Sequence, residues 1–286
     1  LLRHGTIAAQ AALLAGGNAQ PASRNPLVAL RDGSDSLLVV VHPVGGNVLC
    51  YRELSALVPD GMAVLALQSP GDGSEREVGE LAASYIAALA GQLHGRPFHL
   101  LGWSMGGVIA QEMTRQLEAA GTPPQGLTMI DSWQSADSST TERLQGYAML
   151  HNFVRDLLGS MPMPEAFAAI ETLDESLQAE AALAVLREAG IAGGQMSAQE
   201  FVALLAEYQA NYNALVRHAP QAVNTATRLF RASRSQRFPL LAAFTMPGQR
   251  PLELIAMDED HFSIFQGAAL RSVLAQALPQ REDALR

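Results

Sequence analysis

The chain has 286 residues and is 48% hydrophobic, which predicts one large globular α/β domain rather than two equal domains. Its 28 acidic and 19 basic residues give a net charge of −9 without any stretch rich in lysine and arginine, so nucleic-acid binding is disfavoured. A single cysteine, Cys50, excludes an internal disulfide bond and a cysteine-rich zinc site, and no membrane span or signal peptide is indicated, so we expect a cytoplasmic location.

The chain begins with a segment that we interpret as an appendage, residues 1–26, in which a helical pattern at Thr6–Leu14 precedes a linker of small residues and proline. The main domain, 27–286, alternates short β-rich runs with amphipathic helical patterns, which is typical of a largely parallel sheet with helices on both faces. The predicted strands are Ser36–Val41, Ala63–Ser69, Phe98–Trp103, Gly126–Asp131, Ala226–Ala232 and Leu252–Met257. The predicted helices outside the insertion described next are Val48–Leu57, Val78–Leu93, Gly107–Ala120 and Ala268–Leu278.

Between the fourth and fifth of these strands a helical insertion is predicted, at about 134–220, because the gap is too long for an ordinary crossover. Helix starts and stops are indicated by two capping-box patterns, one acidic cap and two glycines: Ser139–Glu142, Ser197–Glu200, Asp174, Gly159 and Gly190. Apolar stripes recur at Leu144, Tyr147, Phe153, Val154, Leu157 and Leu158, and at Phe201, Leu204, Leu205 and Tyr208. These stripes fit either packing against the sheet or a lid that lines a large pocket. We favour the lid, since the insertion leaves the sheet edge where α/β proteins bind ligands.

Gly102-Trp103-Ser104-Met105-Gly106 is the most informative motif, because a predicted strand precedes it and a predicted helix follows it. In that context a G-x-S-x-G sequence predicts a sharp elbow that raises the serine hydroxyl above the sheet, with the helix N-terminus behind it. The alternative is that Ser104 only caps the helix. We expect Ser104 to be a nucleophile.

A serine nucleophile needs a base, and His261 is the best placed of the seven histidines. It follows the last predicted strand, on a loop before the final helix. This position agrees with the chain order serine, acid, histidine that is typical of proteins with a serine elbow. Of the other six, five lie in the appendage, inside a strand or in segments interpreted as surface or lid: His4, His99, His94, His151 and His218. His42 lies in the loop after the first central strand. His261 is therefore our candidate general base.

Asp131 is the candidate for the acid that orients the histidine, because it ends the strand after the elbow helix. The alternative position, after strand Ala226–Ala232, is disfavoured since no Asp or Glu occurs between Glu207 and Glu253. Three acidic neighbours of the histidine remain as rivals, but a short loop makes it difficult for them to turn onto the imidazole: Asp258, Glu259 and Asp260.

Attack on a carbonyl requires donors for the oxyanion, commonly two backbone N–H groups. We expect one from Met105, after the nucleophile, and the second from Val44 in His42-Pro43-Val44-Gly45-Gly46, since Pro43 has no N–H. The competing interpretations are a simple turn or a phosphate loop, and the absence of a Gly-Lys-Ser/Thr ending disfavours the phosphate loop.

Together these motifs resemble the type I thioesterase domains that end nonribosomal peptide synthetases and polyketide synthases. The resemblance covers most of residues 27–280 and rests on His42–Gly46 with Tyr51, on Gly102–Gly107, on Ile130–Ser132 and on Asp260–Phe262. It implies an α/β-hydrolase fold, a helical lid and the triad Ser104, His261 and Asp131. It also implies that residues 1–15 are the last helix of an upstream carrier domain.

The resemblance further implies a two-stage release of the chain. Ser104 takes the acyl or peptidyl chain from the phosphopantetheine thiol of the carrier, so no directly bound cofactor is expected. Water or an internal group then releases the chain as a free acid or a macrocycle. The alternatives are a free-standing esterase, lipase or editing thioesterase on the same fold, and a non-catalytic acyl-binding module.

Overall fold

The computed structural model describes residues 25–93, 95–132, 144–192, 196–235 and 252–278, and within them seven strands form one sheet. The strands are β1 (Leu27–Arg31), β2 (Ser36–Val41), β3 (Met62–Leu67), β4 (Phe98–Trp103), β5 (Gly126–Ile130), β6 (Thr227–Ala232) and β7 (Leu252–Met257). Their order across the sheet is β1-β3-β2-β4-β5-β6-β7. Only β1 runs antiparallel to its neighbour, so the ends of the six parallel strands share one edge.

Helices cover both faces of this sheet, as the alternating pattern predicted. They are α1 (Arg52–Ser55), α2 (Val78–Leu89), α3 (Met105–Ala119), α4 (Gly146–Leu158), α5 (Glu175–Glu188), α6 (Ala198–Arg217) and α7 (Gly267–Ala277). Short 3-10 helices occupy Leu49–Tyr51, Glu165–Thr172 and Ser263–Phe265. None of the helices in the described part of the chain combines the length and apolar character needed to cross a membrane.

Strand β2 shows how the sheet is buried on both sides. Leu37 and Val39 face the core under α2 and α3, whereas Leu38 and Val40 face the core under α1 and α7. Every residue from Leu37 to Val41 is inaccessible to solvent. A run of five apolar residues without polar alternation is therefore what a central parallel strand requires.

Several predicted boundaries need correction. The predicted helix Val48–Leu57 is a 3-10 turn followed by the single turn α1, and the chain leaves helical geometry before Pro59, which disfavours helix at the preceding residue. Helix α2 stops at Leu89 instead of Leu93, shortly before Gly91. The elbow helix α3 starts at Met105, two residues before the predicted Gly107. The predicted strand at Ala63–Ser69 is Met62–Leu67, whereas Asp131 and Ala226 lie just outside their strands.

Strand β1 was not predicted. It pairs with β3 at the edge of the sheet, with a register shift between Ala29 and Arg31, and none of its residues is fully buried. A partly exposed edge strand with an irregular register does not show the period-2 pattern on which strand prediction depends.

Helices α4, α5 and α6 occupy the insertion between β5 and β6 and have a hydrophobic core of their own. Phe153, Phe201 and Tyr208 of the predicted stripes meet in this core, with ring centroids 5.4 Å apart for Phe153 and Phe201 and 5.3 Å apart for Phe153 and Tyr208. The stripes thus pack mainly against each other rather than against the sheet.

The predicted ends of these helices agree with the structure where it describes them. Ser197 and Glu200 form the reciprocal capping box that starts α6, and Asp174 is the N-terminal cap residue of α5. Gly159, with φ 62°, ends α4, and Gly190 lies just beyond α5. The capping-box pattern Ser139–Glu142 and the appendage helix lie outside the described residues.

Candidate functional site

Ser104 occupies a strained turn between β4 and α3. Its φ of 57° and ψ of −129° place a residue with a side chain in a region that glycine normally adopts. Its side chain makes no capping hydrogen bond to the helix, so the alternative interpretation of Ser104 as a side-chain cap finds no support. The hydroxyl lies at the carboxyl edge of the sheet, at the N-terminus of α3.

The glycines of the motif are needed for close approach of backbone segments. A Cβ at Gly102 would lie 2.0 Å from the carbonyl carbon of Gly106, and a Cβ at Gly106 would lie 2.2 Å from the carbonyl oxygen of Val41. Neither glycine is among the residues with positive φ, so their role is contact distance rather than unusual dihedral angles. Strand β4, helix α3 and the end of β2 therefore meet more closely than any side chain allows.

Asp131 follows β5 and is completely buried, with a positive φ of 41°. Its backbone N–H donates to the carbonyl of Phe230 at 2.7 Å, and its Oδ1 accepts from the N–H of Ala232 at 3.0 Å. Its Oδ2 lies 2.7 Å from Nδ1 of His261. One carboxylate oxygen is thus held by β6, and the other contacts the histidine.

His261 lies on the loop between β7 and α7 and is 6% exposed. Its carbonyl accepts a hydrogen bond from Trp103 Nε1 at 3.0 Å, and the two rings have centroids 5.1 Å apart. Asp260 stabilises the turn, because its Oδ1 accepts from the N–H groups of Phe262 and Ser263 at 2.8 and 2.9 Å. A carboxylate at Asp131 favours the tautomer with the proton on Nδ1, which leaves Nε2 available as a base.

The three rival acids have other partners. Asp258 and Glu259 pair with Arg234 at 3.1 and 3.3 Å. Burial of Asp260 would raise its pKa, but the N–H groups of Ser263 and Phe262 outweigh burial and lower it. The structure therefore brings Asp131, and none of these three, to Nδ1 of His261.

The loop of residues 42–47, which we call the oxyanion loop after the donor expected in it, follows β2 and includes Val44. The carbonyl of Pro43 accepts from the N–H of Gly46 at 2.9 Å and lies 2.8 Å from Nδ1 of His42. Because a peptide unit is planar and trans, fixing this carbonyl also fixes the direction of the Val44 N–H on its opposite side. Met105, the second expected donor, is the first residue of α3, so its N–H is one of those left without a partner inside the helix.

His42 belongs to a motif that carries the resemblance, but sequence reasoning gave its side chain no role of its own. It is inaccessible to solvent, and its Nε2 lies 2.7 Å from the hydroxyl of Tyr85. The carbonyl at Nδ1 requires a proton there, so Nε2 accepts from Tyr85. Burial lowers the pKa of His42 to about 4, which keeps the ring neutral. The signal in the sequence was a histidine between a buried apolar strand and a proline.

Tyr51 is a second such residue. Its buried hydroxyl donates to the carbonyl of Val41 at 2.5 Å and accepts from the N–H of Trp103 at 3.1 Å. It therefore joins the two strand ends that lead to the oxyanion loop and to the serine. A tyrosine buried in an apolar segment needs such a partner, which is the signal that could have identified it.

The remaining sequence candidates lie apart from these groups or outside the description. His99 is buried within β4, His218 is the C-terminal cap residue of α6, and Cys50 is half-buried against the core under α1 and α7. His4 and His94 lie outside the described residues.

Comparison with known proteins identifies one family. The profile of the Thioesterase domain family matches residues 37–274. Among curated proteins, the chain is 31% identical over 188 residues to the dimodular nonribosomal peptide synthase of Bacillus subtilis (strain 168), and the match covers 62% of this chain and 8% of that protein. It is 26% identical over 121 residues to enterobactin synthase component F of Escherichia coli (strain K12), covering 41% and 9%. The chain thus spans less than a tenth of the length of these two relatives.

Solved structures give the same picture. A holo four-domain nonribosomal peptide synthetase bound to AMP and glycine superposes with a TM-score of 0.81 at 25% identity, covering 94% of this chain and 21% of that one. The thioesterase domain of NocB from the nocardicin cluster superposes with a TM-score of 0.59 at 22% identity, covering 91% and 98%. The second likeness concerns the fold alone, and it extends over nearly the whole of that domain.

Proposed function

Because this chain belongs to the thioesterase domain family, we propose that Ser104, His261 and Asp131 are its catalytic residues and that it releases an acyl or peptidyl chain from a carrier domain. The α/β-hydrolase fold and the thioesterase activity are those of the family, whose members act through an acyl-enzyme on serine. The observation that carries the residue assignment is the 2.7 Å contact of Asp131 with Nδ1 of His261, at the sheet edge where Ser104 emerges.

In the first stage, Ser104 Oγ forms a bond to the thioester carbonyl carbon while its proton passes to Nε2 of His261. Asp131 stabilises the resulting imidazolium. The N–H groups of Val44 and Met105 receive the oxyanion, which then collapses as the C–S bond breaks. His261 returns the proton to the sulfur, so the products are an ester on Ser104 and the free phosphopantetheine thiol.

In the second stage, a nucleophile attacks the ester and gives its proton to His261, which passes it to Ser104 Oγ as the C–O bond breaks. With water as nucleophile the product is a free acid. With an amine or hydroxyl of the bound chain it is a macrocycle. Both outcomes occur in the family, and the choice depends on whether the pocket excludes water and folds the chain back.

We assign helices α4–α6 as the lid over Ser104. Their separate hydrophobic core supports a unit that covers the site without belonging to the sheet, and half-buried Val44 packs against this core. We assign residues 1–26 as the end of an upstream carrier domain and its linker. The small share of the relatives' length that the chain spans agrees with a place inside a longer assembly-line protein.

The test is turnover of N-acetylcysteamine thioesters of varied acyl length, with linear and cyclic products separated. Ser104→Ala should abolish both turnover and labelling by an alkyl fluorophosphonate. Asp131→Asn should lower kcat on the order of 10⁴-fold, as in comparable triads. Asp258→Asn is the matched control, since Asp258 is 90% exposed on the same edge and should leave kcat unchanged.

Four results would change the assignment. Labelling that persists in Ser104→Ala would exclude Ser104 as the nucleophile. If kcat were unchanged in Asp131→Asn but lost in Asp260→Asn, the orienting acid would be Asp260 and not Asp131. Binding of thioesters without any turnover would favour an acyl-binding module, and a preference for simple esters over carrier-bound thioesters would favour a free-standing esterase.

A further inference from the structure

Two buried side chains of helix α6, Glu207 and Asn211, lie one helical turn apart and face the oxyanion loop. Nδ2 of Asn211 donates to the carbonyl of Val44 at 3.0 Å. Asn211 therefore holds the peptide unit that follows Val44, while His42 and Gly46 hold the unit that precedes it. With the peptide planes fixed on both sides of its Cα, Val44 has no freedom in φ or ψ.

Glu207 supports the same loop through Ser69. Its Oε1 accepts from the hydroxyl of Ser69, and its Oε2 accepts from the N–H of Gly73 at 2.8 Å. The N–H of Ser69 in turn donates to the carbonyl of Gly46 at 2.8 Å. Helix α6 thus reaches the oxyanion loop by one direct hydrogen bond and by one path through a single intermediate residue.

The contact between helix and loop leaves no room for another side chain. Gly46 has φ 77°, and a Cβ there would lie 3.0 Å from Cβ of Ser69 and 3.2 Å from both Nδ2 of Asn211 and Cγ of Glu207. Because α6 and Ser69 pack this closely around Gly46, α6 cannot shift without displacing the loop or breaking its hydrogen bonds to it.

We propose that Asn211, supported by Glu207, is a positioning residue that holds the Val44 N–H in the direction required by the oxyanion. This rests on the proposed function, in which Val44 is an oxyanion donor. It links the lid to the chemistry, because α6 holds Val44 from its carbonyl side while His42 and Gly46 hold the peptide that carries its N–H, so the position of the donor depends on both. Loss of the Asn211 contact leaves the Val44 carbonyl without this donor and frees the peptide next to Gly45, which is flexible.

The test compares Asn211→Leu with Asn213→Leu in the full chain. Asn213 lies on the same helix, is also buried and donates to Oε1 of Glu75 at 2.9 Å, so it is a matched control that does not touch the loop. With an N-acetylcysteamine thioester, Asn211→Leu should lower kcat on the order of 10- to 100-fold at unchanged KM, less than removal of an oxyanion donor itself. Asn213→Leu should retain the wild-type kcat.

An alkyl trifluoromethyl ketone provides the readout that a general structural defect does not produce. It adds to Ser104 and places an oxyanion where the tetrahedral intermediate has one, so its affinity should fall by the same factor as kcat in Asn211→Leu and remain unchanged in Asn213→Leu. Circular dichroism and cooperative thermal unfolding show whether each variant is folded. If Asn211→Leu does not fold, Glu207→Gln decides, with a smaller loss of kcat expected in the same direction.

The outcomes separate the two proposals. Three outcomes would overturn the positioning role while the thioesterase assignment stands. They are a folded Asn211→Leu with wild-type kcat, an effect of Asn211→Leu on KM alone, and equal losses of kcat in Asn211→Leu and Asn213→Leu. If Asn211→Leu is unfolded, an unchanged kcat in Glu207→Gln also overturns it. A wild-type chain without Ser104-dependent turnover would overturn the proposed function, and the positioning role with it.

Discussion

The buried histidine of the oxyanion loop predicts a measurable dependence of stability on pH. The pKa of His42 is lowered by burial from 6.5 to about 4 in the folded protein. Between these values the unfolded chain binds a proton that the folded protein does not, so protonation favours unfolding. The contribution is therefore fully present above about pH 6.5 and is lost as the pH falls towards 4.

The size of the effect follows from the shift. At about 1.4 kcal/mol per pKa unit, a lowering from 6.5 to about 4 corresponds to about 3 kcal/mol of unfolding free energy. No reduction for solvent screening is needed, because His42 is completely inaccessible. Since typical domains are stable by only about 5–15 kcal/mol, the loss of this contribution removes a large fraction of the total stability.

The measurement is equilibrium urea unfolding at several pH values between about 7.5 and 4.5, for wild type and for His42→Asn. Asparagine keeps a donor for the Pro43 carbonyl but does not titrate. Its absolute stability is lower because the Tyr85 hydroxyl loses its acceptor, yet its loss of stability over this pH range should be smaller by about 2–3 kcal/mol.

The difference between the two curves isolates His42. The pKa values of His99 and His218 are also lowered by burial, and both residues remain in the variant. Parallel stability curves for wild type and His42→Asn would refute the reasoning. So would an NMR titration that places the pKa of His42 near 6.5 in the folded protein.

Three further predictions concern the packing that positions the site. In urea unfolding, Gly106→Ala should destabilise the fold by about 3 kcal/mol or more, because its Cβ meets the Val41 carbonyl, and turnover should be abolished. Gly91→Ala is the control: no atom lies within 4 Å of its Cβ, so its stability should stay within about 1 kcal/mol of wild type. Tyr51→Phe should cost about 2 kcal/mol or more, measured in the same way, since it leaves the Val41 carbonyl and the Trp103 N–H without the hydroxyl. Phe153→Ala, at the centre of the insertion core, should cost about 3–5 kcal/mol and be seen as a lower Tm. Wild-type stability in Gly106→Ala, Tyr51→Phe or Phe153→Ala would contradict the structural basis of that prediction.

The sequence predicts the candidate site because the side chains concerned lie at strand ends. A strand, a serine and a helix predict an elbow, and the lack of carboxylates after β6 left Asp131 as the acid, which lies at Nδ1 of His261. The roles of these residues in catalysis remain predictions until the variants are measured.

Other parts could not be predicted because they depend on contacts between segments distant in the chain. The role of His42 depends on the Tyr85 hydroxyl at its Nε2, and the role of Tyr51 depends on the two strand ends at its hydroxyl. Strand β1 has no hydrophobic alternation, because it is partly buried on both faces: Leu27 packs against one core cluster, and Val28 and Leu30 pack against the other. Likewise, Glu207 and Asn211 match ordinary polar positions of a helix in the sequence, because their contacts with the loop join distant segments.

The backbone hydrogen bonds of the sheet continue past the strand ends into the reactive centre. The Ser104 N–H donates to the Ile130 carbonyl at 2.9 Å, the next residue is Asp131, and its own N–H donates to Phe230 on the adjoining strand. The spacing between Ser104 and Asp131, the proposed nucleophile and acid, is thus set by main-chain geometry. Replacement of side chains in helices α4–α6 therefore leaves this spacing intact, because no atom of those helices belongs to the chain of hydrogen bonds from Ser104 to Phe230.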